Sequence, residues 1–95
     1  MDLTEALVHS PRAAASVAWF ARQDERPRIE QAIATEAAIR NDAHLVKYTW
    51  ACLDCAVQDP AQAPLFHAAA AYLCSIWCIE QPKDGVVRNL GEGRG

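Results

Sequence analysis

The chain has 95 residues, 52% of them hydrophobic and 22% charged, with a net charge of −3 and a pI near 5.5. That length fits one domain with a modest core, and so apolar a composition excludes intrinsic disorder. The acidic balance lacks the basic stripe a nucleic-acid binder needs, and no run of like charges offers a polybasic membrane patch or an acidic tail.

The start, Met1-Asp2-Leu3-Thr4-Glu5, has neither the basic opening nor the apolar stretch of a secretory signal, so a cytoplasmic location is expected. Asp2 or Thr4 opens a short first helix running to about Val8. Ser10-Pro11 reads as a second start, a serine cap followed by proline at the first helical position, where its missing N–H is harmless. Ala14, Val17, Ala18 and Phe20 or Ala21 supply the apolar stripe of that helix. The polar cluster Arg22-Gln23-Asp24-Glu25-Arg26 breaks it, because Pro27 disfavours helix at Arg26.

A third helix starts between Asp24 and Pro27, with Ile29, Ala32 or Ile33, Ala37 and Ile39 on its apolar side. Asn41-Asp42 offers a tight turn or an N-cap for the next helix. That helix, from about Ala43 to Gln58, carries one face of Leu45, Tyr48 or Thr49, Cys52 and Cys55 or Ala56 and another of Val46, Trp50, Leu53 and Val57, with Asp54 on its solvent side. Asp59 to Pro64 holds two prolines and makes a connection. The last helix, about Pro64 to Glu80, is apolar nearly all round, which marks it as the central, most buried element. Its strongly apolar part, Leu65 to Ile79, is shorter than the ~20 residues of a membrane span, so a core helix is expected rather than a membrane segment. Pro82 and Gly85 close it. Residues 1–84 therefore read as one helical domain and 85–95, which hold all four glycines, as a flexible tail.

The sharpest chemical pattern is four cysteines on the last two helices: Cys52 and Cys55, then Cys74 and Cys78. Spacings of three and four put each pair on one helical face, close enough to share a tetrahedral ion. Depth along an antiparallel hairpin argues against one site. Measured from the Asp59–Pro64 connection, the two pairs fall out of step by ~10 Å at 1.5 Å per residue. The same offset argues against disulfides, which need Cα atoms within ~7 Å. All four thus read mainly as small buried core residues. The alternative is a helical metal-binding protein that uses Cys52, Cys55, Cys74 and Cys78, with His67 as a further ligand. Its depth-matched variant is Cys52, Cys55 and His67, completed by water or Asp59.

No phosphate loop, nucleophile elbow or acid–base pair occurs, and thiols among Ala, Leu, Ile and Trp are held inert, so no enzymatic activity and no cofactor are expected. Trp19, Phe20, Trp50, Phe66 and Trp77 read as core anchors, with Trp19, Trp50 and Trp77 as candidates for an exposed partner-binding anchor. The expectation is an all-α bundle of about four helices with a buried Ala/Cys-rich last helix. Its expected role is a non-enzymatic interaction module (an accessory subunit, adaptor or inhibitor) that binds another protein or itself.

Overall fold

The computed structural model describes residues 1–80, so the tail at 85–95 and the end of the domain at 84 lie outside the described residues. Five α-helices follow one another: α1 (Leu3–His9), α2 (Pro11–Trp19), α3 (Arg26–Arg40), α4 (Ala43–Gln58) and α5 (Ala63–Glu80). Short 3-10 turns, Gln23–Glu25 and Pro60–Gln62, lead into α3 and α5. Among the described residues there is no strand. The fold is all-α.

Three of the helices, α1, α2 and α4, begin where a side chain satisfies an orphan N–H. Asp2 Oδ1 accepts from the Glu5 amide at 2.9 Å. Ser10 closes α1 and opens α2 at once: its N–H donates to the Ala6 carbonyl, and its hydroxyl accepts from the Ala13 amide at 3.2 Å. Asn41 ends α3 in the left-handed region (φ 55), which asparagine tolerates better than most residues. Asp42 then caps α4, accepting from the His44 and Leu45 amides at 2.9 and 3.1 Å. The Leu45 amide first, then the Trp77 indole and the His44 amide, hold the Asp42 carboxyl below its ordinary range. The stabilising effect of that cap is therefore present above the ordinary carboxyl pKa and is lost as pH falls through the lowered one.

The helix apolar on every side is the hub, and α5 packs against all four of the others. Its most extensive contact is with α2, where Ala14 and Ala18 are buried in the same core cluster as Ala70 and Ala71. Small side chains let two helix backbones approach closely, since interaxial distance follows the residues at the contact. Leu3, Leu7, Ile29, Ile33 and Leu45 fill the rest of the core. Two residues expected on apolar stripes face out instead. Phe20 lies beyond the last turn of α2 and is 79% exposed, and Ile39 near the end of α3 is exposed as well.

Candidate functional site

The inner face of α5 is Ala63, His67, Ala70, Ala71, Cys74, Ser75 and Cys78, all buried. Turned away from it are Leu65, Tyr72 and Ile79, exposed by 49%, 44% and 40%. A spacing of seven residues is close to two helical turns, so the three form one stripe, ~21 Å long at 1.5 Å per residue. Half-buried Ala68, Ala69 and Ile76 lie along its length. No Asp, Glu, Lys or Arg occurs from Ala63 to Ile79. The last helix is thus less completely buried than its composition implied: it is the hub of the bundle on one side and open on the other. By length and composition alone the segment Pro60–Glu80 is apolar enough to cross a membrane (mean hydropathy 1.2), and 39% of that window is buried within the domain.

The tryptophans divide. Trp50 on α4 is 62% exposed and Trp19 at the end of α2 is 47% exposed, so neither is the core anchor its size suggested. Alanines fill the space where helices meet, and closely spaced helices leave no room there for an indole. Trp77 is half-buried and packs against the core, with its indole N–H buried and without a hydrogen-bond partner. That N–H also helps to lower the Asp42 pKa, although the pair falls short of hydrogen-bond geometry.

The cysteines form two separate pairs, all with free thiols. Cys52 is buried, and burial first, then the neighbouring Cys55, pushes its thiol up while Tyr48 pulls it down. Cys55 is exposed, which corrects its expected place in the core: it lies on the flank of α4, one turn from Cys52. On α5, the Cys78 thiol approaches Glu36 Oε2 at 3.7 Å, and the same oxygen accepts from Arg40 Nε at 3.4 Å. Hydrogen bonding with Cys78 and burial raise the Cys74 thiol, whereas Cys74 and then Arg40 lower that of Cys78.

The metal sets expected from spacing do not assemble. His67, with a side chain 1% exposed, pairs through Nε2 with Glu30 Oε2 at 2.9 Å and so ties α5 to α3 rather than to Cys52 or Cys55. Among the described residues no group of three or more His, Cys, Asp or Glu side chains is placed to hold a metal ion. The role of Glu30 was hidden because its partner lies 37 residues away. Native thiol labelling should therefore show one fast thiol, Cys55, with Cys52, Cys74 and Cys78 protected until the domain opens. A Cys55→Ser variant that still labels at the native rate would contradict this placement.

A second surface feature is a groove of about 780 Å³ between the start of α1, the end of α2 and the start of α3. Met1, Leu3, Val17 and Ile29 line it, together with the charged Glu25 and Arg28. Its mixed charge makes it less selective for an apolar partner than the uncharged α5 stripe. No family model matches the chain, and neither curated proteins nor solved structures give a match.

Proposed function

We propose that the chain is a non-enzymatic protein-interaction module, an accessory subunit, adaptor or inhibitor, that docks through the outer face of α5. The observation that carries this reading is the exposure of Leu65, Tyr72 and Ile79 along one uncharged face of the hub helix. A single exposed leucine needs no explanation, but an ordered stripe of large apolar residues does. Full burial of each such side chain is worth ~1.5–3 kcal/mol, and somewhat under half of that is still available here. The three together offer on the order of 3 kcal/mol, below the ~4–15 kcal/mol that association costs. A stable partner therefore also covers side chains beyond these three.

The test is a photo-reactive side chain placed at Tyr72 in the intact chain, with Gln31, an exposed polar position on α3, as control. Covalent capture of a protein, whether another species or the chain itself, is expected at 72 and not at 31. Equal capture at both positions, or none at 72, contradicts the reading.

A further inference from the structure

Resting on that reading of α5 as the docking surface, we infer that its occupant is a second copy of the chain, packed antiparallel about a two-fold axis at Tyr72. The stripe is close to symmetric about this residue. Leu65 lies seven positions before it and Ile79 seven after, both large and aliphatic. Between them the two halves differ in size, with Ala68 and Ala69 before Tyr72 and Ile76 after it.

That difference sets the direction. In an antiparallel pair, Ile76 of each copy lies over the Ala68–Ala69 hollow of the other, and Leu65 lies over Ile79 of the partner subunit. In a parallel pair, Ile76 would oppose its own equivalent while the alanines faced each other across a gap. Packing of large onto small is the arrangement that fills space at native density. An isologous two-fold contact needs this kind of self-complementary surface. The seven-residue spacing also suits the shallow crossing of two helices packed side by side.

Charge points the same way. From Ala63 to Ile79 the helix offers no charged group to pair with a charged partner, so any charge seated there loses its water without compensation. An identical uncharged face has no such penalty.

Disulfide trapping in the purified full chain tests the geometry, in a Cys55→Ser background so that the remaining native thiols are buried ones. Tyr72→Cys should cross-link to itself under mild oxidation at least tenfold faster than a Gln31→Cys control. Leu65→Cys and Ile79→Cys should each stay single when alone and cross-link when mixed. Circular dichroism of each variant and the sedimentation mass of the unaltered chain keep the test independent of any one substitution. Self-linking of Leu65→Cys as fast as its linking to Ile79→Cys overturns the antiparallel arrangement. A single-chain mass with no trapping at 72 overturns the self-pairing. If photo-capture at 72 then finds a different protein, the interaction reading survives and only the identity of the occupant falls. If the chain stays single and floats with phosphatidylcholine vesicles, both fall.

Discussion

Replacing Ala71 with leucine is expected to lower the melting temperature of the domain by at least about 4 °C. Ala71 is wholly buried on the face of α5 turned to the core, in one cluster with Ala14 and Ala18 of α2. The α2–α5 contact is the most extensive in the molecule, and it depends on side chains that stop at Cβ. A leucine there must either push apart the helices packed on α5 or adopt a strained rotamer. Overpacking of this kind costs ~1–3 kcal/mol, and in a domain of this size each kcal/mol moves the melting point by about 4–8 °C. Ala38→Leu, at an exposed position on α3, is the matched control and should leave the transition nearly unmoved. Equal effects of the two substitutions in a thermal melt followed by circular dichroism would contradict tight packing on the inner face of α5.

Ser75→Ala is expected to cost ~1–3 kcal/mol for the loss of one oxygen, the range for leaving a buried acceptor unpaired. The Ser75 hydroxyl donates to the Leu7 carbonyl at 2.7 Å, in a fully buried contact between α5 and α1. That carbonyl belongs to the last turn of a seven-residue helix, where intrahelical donors run out. The residue four positions on is Pro11, which has no N–H to offer. Ser75 therefore does for the end of α1 what a cap would do, from the other end of the chain. Chemical denaturation should show a lower midpoint with an unchanged slope. Ser16→Ala, exposed on α2, should shift it far less, and matching midpoints for the two variants would contradict the role given to Ser75.

These two substitutions mark the line between what could be read from the sequence and what could not. Ser10-Pro11, Asn41-Asp42 and the Asp59–Pro64 connection punctuate the chain through local chemistry, and the structure breaks its helices at those places. Faces are harder. On α4 two apolar faces could be read: Leu45, Thr49, Cys52 and Ala56 of the first are buried, whereas of the second only Leu53 is, with Trp50 and Val57 exposed. On α5 nearly every residue is apolar, so the pattern has no direction and cannot tell the hub side from the open side. The open side did leave a trace, the seven-residue spacing of Leu65, Tyr72 and Ile79. The tryptophans misled because size alone suggests burial, whereas a core closed by alanines excludes them. Contacts such as His67 with Glu30 and Ser75 with Leu7 join residues far apart in the chain, and no local rule selects such partners.

We propose that a second copy of the chain covers the outer face of α5 when the protein is at work. Sedimentation velocity of the purified chain and of its Tyr72→Arg variant tests this most directly. Twice the 10.4 kDa chain mass is expected for the unaltered protein and the single-chain mass for the variant, with the same circular dichroism spectrum for both. A single-chain mass for the unaltered protein at about 100 μM, well above the ~μM dissociation constants at the weak end for interfaces of standard size, or a double mass that survives Tyr72→Arg, would contradict it.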